Sequence, residues 1–282
     1  MQSLPLKVFV ISLERATERR AHMQRLLTEV GLEAEFVSAV DGRAMTAADL
    51  AQYDSRLARR NYRSEMTNSE IACYLSHYRL YERIWREALP VALILEDDID
   101  ITAGFVETLK DLLTDPDPEW AVVRLQTQRG RVAEPETASD RGRLVRTAGN
   151  GGLYQIGTHV LGGCAYLISG RGARAMLDYG RRISRPIDQT MDRFWENGIV
   201  PYVVRPFPVR QHPDFQSEIG VRGKAACPDE RASDALVGRV IRAQDGLRKR
   251  IFRAAVRHPA IREFAAVTLP WPARISLAHQ SG

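Results

Sequence analysis

The chain has 282 residues, of which 44% are hydrophobic and 27% charged, enough for one large α/β domain or two small ones. That balance excludes a disordered or fibrous protein. The net charge of +5 is unevenly placed: from Arg222 onward there are 12 basic and 5 acidic residues, a net of +7, so the first 221 residues carry −2. A mildly acidic body with a basic tail and no aromatic stacking runs argues against a nucleic-acid binder.

No apolar run approaches the roughly 20 residues that span a bilayer. The run over residues 8–13 is too short for a signal h-region, so the cytoplasm is the expected location. Cys73, Cys164 and Cys227 are far apart and form neither a CxxC metal site nor a disulfide framework. Such sparse cysteines suit a reducing compartment.

Residues 7–13 (KVFVISL) are β-branched and predict a buried strand. Over residues 17–30, Met23, Leu26, Leu27 and Val30 recur at helical spacing, and Gly31 ends the helix. Residues 34–40 predict a second strand, closed by the turn Asp41-Gly42. This β-α-β opening is the unit of parallel sheets. After a polar helical stretch, either Thr67 with Glu70 or Ser69 alone caps a helix that runs to about residue 88, before Pro90. Residues 91–95 (VALIL) are hydrophobic on both faces, the mark of a central strand, and they end in Glu96-Asp97-Asp98.

A helix near residues 105–113 and a strand over 120–125 follow. Residues 129–152 are polar, rich in Arg and Gly, and without periodicity, which predicts a long lid or binding loop. Residues 163–168 return to strand character, Ser169 caps a helix through 178, and a helix over 189–197 precedes a strand over 200–204. The expected fold class is α/β with a mostly parallel central sheet, as a domain over residues 1–221 and a basic helical extension over 222–282.

Three consecutive carboxylates repel one another, and ligands of open α/β sheets bind outside the carboxyl ends of the strands. A solvated acidic turn is one explanation of Glu96, Asp97 and Asp98; the buried strand before them favours a bound cation. Carboxylate oxygens suit Mg²⁺ or Mn²⁺, which share substrate phosphates and neutralise a departing diphosphate. Asp98 belongs both to Glu96-Asp97-Asp98 and to the Asp98-Ile99-Asp100 frame, and is the central candidate ligand.

Six segments in order carry a resemblance: KVFVISLERATERR, FVSAVDGR, TNSEIACYLSHYRLYERI, LPVALILEDDI, GCAYLISGRGARAML and RPIDQTMDRF. Together they resemble glycosyltransferase family 25, which contains lipooligosaccharide and procollagen galactosyltransferases. They span about residues 8–219 and leave 129–152 uncovered. The resemblance implies a GT-A type nucleotide-binding α/β sandwich. It also implies transfer, with inversion, of a sugar (commonly galactose) from its UDP derivative to a saccharide acceptor, as in surface glycan or lipooligosaccharide synthesis. The family usually has glycines where this chain has Ser69 and Ala72. A sugar-nucleotide-binding protein without turnover is the alternative on the same fold.

Arg15 and Arg19 lie near the predicted nucleotide edge, where Arg forks hold diphosphate, and Arg19 aligns best with the family pattern. Asp41 is a candidate nucleoside contact or a plain turn residue. Glu70, Cys73 and His77 share one helix face. With the resemblance, His77 and the adjacent Ser76 become candidates for the donor sugar or diphosphate, and Glu70 a capping carboxylate or secondary site residue. Glu96 and Asp97 complete the donor set. Asp188, in the Pro-x-Asp turn, is the leading general base, with Asp192 one turn away; His212 is a further candidate ligand for metal or diphosphate.

Apolar residues over 236–256 recur at helical spacing among arginines. Such a helix either lies on an anionic membrane surface, which would suit a lipid-linked acceptor, or packs on the domain.

Overall fold

The computed structural model describes residues 6–62, 64–115, 118–134, 138–215 and 232–257. The β-α-β opening forms as expected: β1 (Lys7–Ser12), α1 (Thr17–Glu29) and β2 (Glu35–Ser38), with β1 parallel to β2. Two short helices, α2 (Ala47–Leu50) and α3 (Ser55–Asn61), lead into the long α4 (Asn68–Arg86). Thr67 and Glu70 form a reciprocal capping box at its start, so Ser69 is not the cap. The central strand β3 (Val91–Glu96) then pairs parallel to β1 on its other side.

A three-residue strand, β4 (Ile99–Ile101), follows the acidic residues, and α5 (Phe105–Leu112) and β5 (Val122–Arg124) come next. Residues 129–152 are not an irregular loop. Two single-turn helices, α6 (Gly130–Ala133) and α7 (Ala138–Arg141), precede a hairpin of β6 (Arg143–Ala148) and β7 (Gly151–Gln155) at the sheet edge. The remaining elements are β8 (Ala165–Ser169), α8 (Gly170–Tyr179), α9 (Ile187–Met191), α10 (Phe194–Asn197), β9 (Pro201–Arg205), β10 (Val209–Gln211) and α11 (Ala232–Arg257). The single helix expected over 189–197 is broken into α9 and α10, because Asp192 turns inward to accept the backbone N–H groups of Val160 and Leu161.

Eight strands make one sheet in the order β2-β1-β3-β8-β5-β9-β7-β6, while β4 and β10 form a separate antiparallel pair. Three pairings are parallel and four antiparallel, so the sheet is mixed rather than mostly parallel. The hairpin accounts for part of this, since strands joined by a short turn must be antiparallel. Reversed β8, wedged between β3 and β5, gives two more, and β7 against β9 gives the fourth.

Side chains of one strand alternate between the two faces. Val8, Val10, Leu93, Leu95 and Leu167 pack on one face with Met23, Leu27, Phe105 and Leu109. Phe9, Ile11, Ala92, Ile94 and Ile168 pack on the other with Tyr74, Tyr81 and Met176. This two-sided burial is what makes residues 91–95 apolar throughout.

Helix α11 lies against the domain. Phe252 and Ala255 are buried, Asp245 pairs with Arg193 at 2.6 Å, and the Lys249 ammonium sits over the rings of Phe194 and Trp195. The packing reading of the tail therefore holds around Phe252 and Ala255, while Val240 and Leu247 of the same helix stay exposed. Among the described residues no helix is long and apolar enough to cross one. Cys227 lies outside the described residues; Cys73 and Cys164 are free thiols.

Candidate active site

The carboxyl ends of β1 and β3 open into a cleft closed on one side by the start of α4 and on the other by the β1–α1 turn. Its walls hold Arg15, Arg19, Asp41, Ser76, His77, Glu96, Asp97 and Asp98, so eight of the residues singled out from the sequence come together. The turn Asp41-Gly42 forms the rim. A Cβ on Gly42 would lie 2.9 Å from the Ser69 backbone, so only glycine lets this turn rest on the start of α4.

The three consecutive acids do three different jobs. Glu96 accepts a hydrogen bond from His77 Nε2 at 3.1 Å, and the other ring nitrogen of this fully buried histidine meets the Tyr166 hydroxyl at 2.8 Å. Asp97 is tied back to β1 and α1: the Ser12 hydroxyl donates to it at 2.6 Å, and Arg19 approaches at 3.3 Å. Burial raises the Asp97 pKa, opposed by those two partners. Asp98 is the exception. Its Oδ2 accepts from Gln211 Nε2 at 3.2 Å, but its Oδ1 is buried and, among the described residues, accepts no hydrogen bond. Burial, followed by the fields of Glu96 and Asp97, pushes its pKa up to about 7.

An orphaned buried carboxylate oxygen among like charges is a strong mismatch. A divalent cation beside Asp98 would supply both the missing partner and the missing charge, so the residues present fit such a group. The strand pair β4–β10 keeps this wall in place, with His212 N donating to the Asp98 carbonyl at 2.8 Å.

The ligand atoms expected from the sequence group differently in space. Glu96 falls with Cys73 and His77, whereas His212 falls with His22 and Asp100. His212 Nδ1 accepts from Asp214 N at 3.2 Å, so its Nε2 carries the proton and faces Asp100, 3.9 Å away. His212 thus stands apart from Asp98's side chain, in a group with His22 and Asp100 whose ligand atoms lie within 4.8 Å of one another.

Arg15 and Asp41 pair across the mouth of the cleft, and Asp41 also accepts from Arg43 N at 2.9 Å. The Ser76 hydroxyl donates to Ala72 O and accepts from Val40 N, fastening α4 to the end of the second strand's connection. Glu70 is outside the cleft: its carboxylate serves the capping box and accepts from the Tyr62 hydroxyl at 2.7 Å. Asp188 is also outside the lining. One of its oxygens accepts from Gln189 N at 2.8 Å and the other from Gly162 N at 3.2 Å. It nevertheless stands close by, because a Cβ on the next residue, Gly163, would lie 3.9 Å from Glu96 and 3.7 Å from Ile187.

Ser12, Tyr166 and His22 were not foreseen. Ser12 had a usable signal, being next to last in a predicted strand at the ligand end of the sheet. Tyr166 and His22 had none, since each acts through a contact distant in sequence.

A cleft of arginines and carboxylates at the carboxyl ends of parallel strands lies where open α/β sheets place their ligands. A family profile described as "Glycosyltransferase family 25 (LPS biosynthesis protein)" matches residues 6–191, and the chain belongs to that family. It is 32% identical to procollagen galactosyltransferase 2 of Mus musculus over 139 residues, 47% of this chain and 22% of that protein. It is 26% identical to procollagen galactosyltransferase 1 of Danio rerio over 220 residues, 75% of this chain and 35% of that protein. A third relative, the "probable inactive glycosyltransferase 25 family member 3" of Rattus norvegicus, is 27% identical over 216 residues, 71% of this chain and 37% of that protein. The chain thus spans well under half the length of these curated relatives.

Proposed function

We propose that the protein transfers a hexose, galactose in the first instance, from a UDP-sugar to a saccharide acceptor, with inversion and with Mn²⁺ or Mg²⁺ bound. The observation that carries this reading is the orphaned Asp98 oxygen in a cleft lined by Arg15 and Arg19. Asp98 and its neighbours would hold the cation, which supplies charge neutralisation for the departing diphosphate. Arg15 and Arg19 face the phosphates, Asp41 the nucleoside, and the His77–Glu96 pair the donor sugar. The buried Tyr166 hydroxyl fixes the histidine ring from behind.

Asp188 serves as the general base. The acceptor hydroxyl gives its proton to this carboxylate as its oxygen bonds the anomeric carbon. The bond from that carbon to the diphosphate breaks, and UDP leaves with the electron pair. Two backbone N–H groups hold the carboxylate rigidly across Gly163 from Glu96. A lipid-linked saccharide made at the cytoplasmic face of a membrane is the acceptor that fits the family description.

The rat relative, described as inactive, favours a second reading, donor binding without turnover. Transfer from UDP-galactose, UDP-glucose and UDP-N-acetylglucosamine in the presence of Mn²⁺ separates the two. The proposal predicts turnover that falls about 10²–10⁴-fold in Asp188→Asn while donor affinity is kept. UDP binding with no turnover from any donor would establish the second reading, and full turnover by Asp188→Asn would remove Asp188 as the base.

A further inference from the structure

A second cavity, of about 300 Å³, lies between α3, the end of α8 and α9. Its lining includes Asn61, Tyr179, Arg181, Arg182, Ser184 and Arg185, none of which lines the donor cleft. It stands at the same end of the sheet as that cleft. β8 runs away from this end and α8 returns to it, where Tyr74 and Tyr78 of α4 donate to the carbonyls of Gly180 and Leu177.

Arg185 is the unusual member. It is only 7% exposed, yet among the described residues its guanidinium makes no hydrogen bond or ion pair. The acids whose fields reach it, Glu196 and Asp245, are both held by Arg193, and Glu196 also accepts from Tyr179. Asp178 and Asp54 are near Arg181 and Arg182, at 3.6 and 3.7 Å. Such long, mostly exposed pairs hold little energy and leave both forks free to turn. Burial and the neighbouring Arg193 push the Arg185 pKa down, the direction expected of a cation lacking a counter-ion.

Burying a charge without a partner is costly, and an oxyanion accepting both arms of an arginine fork is the partner that geometry favours. Further donors stand ready. Ser184 Oγ accepts from Asn61 Nδ2 at 3.1 Å, and among the described residues its own proton has no acceptor. We propose that this cavity binds an oxyanion, a phosphate or a carboxylate carried on a saccharide, at a site separate from the donor cleft. Only the word saccharide rests on the glycosyltransferase reading; the oxyanion site stands on Arg185 and its cavity.

Calorimetric titration of the full chain with inorganic phosphate and with glucuronic acid tests this. At least one probe binds saturably, and more weakly as NaCl rises. Arg185→Gln and the volume-matched Arg185→Met raise Kd at least tenfold, whereas Arg15→Gln in the donor cleft leaves it unchanged. The double variant Arg181→Gln/Arg182→Gln, at exposed positions that do not threaten the fold, weakens binding several-fold. Preference for phosphate or for glucuronate tells a phosphorylated ligand from an acidic sugar. Absence of binding by either probe overturns the proposal. So does binding lost in Arg15→Gln but kept in the Arg185 variants, or, should those variants not fold, binding unchanged in the double variant. Failure of sugar transfer alone does not touch it.

Discussion

Two sets of buried carboxylates flank Gly162 and Gly163, and they are satisfied in opposite ways. On one side Asp192 lies inside the protein with Arg124 at 3.5 Å and the backbone N–H groups of Val160 and Leu161 on its other oxygen. Arg124 also binds the carbonyls of Gly162 and Asp188, so the knot is closed by the chain itself. On the other side Glu96, Asp97 and Asp98 have partners among the described residues for some oxygens but not for Asp98 Oδ1. Burial raises both pKa values, Asp192 to about 6 and Asp98 to about 7. Buried acids are therefore not diagnostic in themselves; a site shows where the compensating charge must come from outside.

The comparison breaks most visibly at Arg124. Arg124→Gln leaves Asp192 buried without its cation and is expected to cost about 3–5 kcal/mol of stability, measured by urea unfolding. A loss below about 1 kcal/mol would mean that the knot is not closed by this pair. In the open set, the proposed cation role predicts that Asp98→Ala lowers kcat for transfer about 10²–10³-fold with little loss of stability, since Gln211 alone among the described side chains bonds that carboxylate.

The pH dependence sharpens the same contrast. Without a cation the folded Asp98 carboxyl keeps its proton up to about pH 7, while in the unfolded chain it releases it near its ordinary value of 3.8. Between those values the folded state binds more protons than the unfolded one, so the metal-free protein loses stability as pH rises from about 4 to 7. Asp98→Asn should flatten that part of a thermal-unfolding profile. The slope from Asp192, raised to about 6, remains in both proteins. An unchanged profile in Asp98→Asn would place the titration elsewhere.

The smallest effect concerns Glu70. Thr67→Ala opens the capping box of α4 and should cost about 1 kcal/mol without altering donor affinity. A selective loss of UDP binding at unchanged stability would return the Thr67–Glu70 end to the site.

Local signals made half of the molecule legible in the sequence. The β-α-β opening, a helix cap at Thr67 or Ser69 and the apolar run ending in Glu96 each declare themselves within a few residues. The hairpin over 143–155 did not, because β6 is an edge strand with little buried surface to impose alternation. The glycines that suggested a loop mark close packing instead: a Cβ on Gly151 would fall 1.9 Å from the Arg205 carbonyl oxygen. The acidic cluster was legible as a cluster, but its division of labour was not. Ser12 and Asp97 are 85 residues apart, and Gln211 and Asp98 are 113 apart. Such pairings follow from topology. The same reason hid Arg185, whose missing partner is visible only once its neighbours are placed.

Calorimetric binding of UDP with and without Mn²⁺, in the wild type and in Asp98→Asn, tests the central claim most directly. The account predicts that Mn²⁺ tightens UDP binding at least tenfold in the wild type and leaves the variant's affinity unchanged. Equal enhancement in both proteins, or none in the wild type, would contradict it.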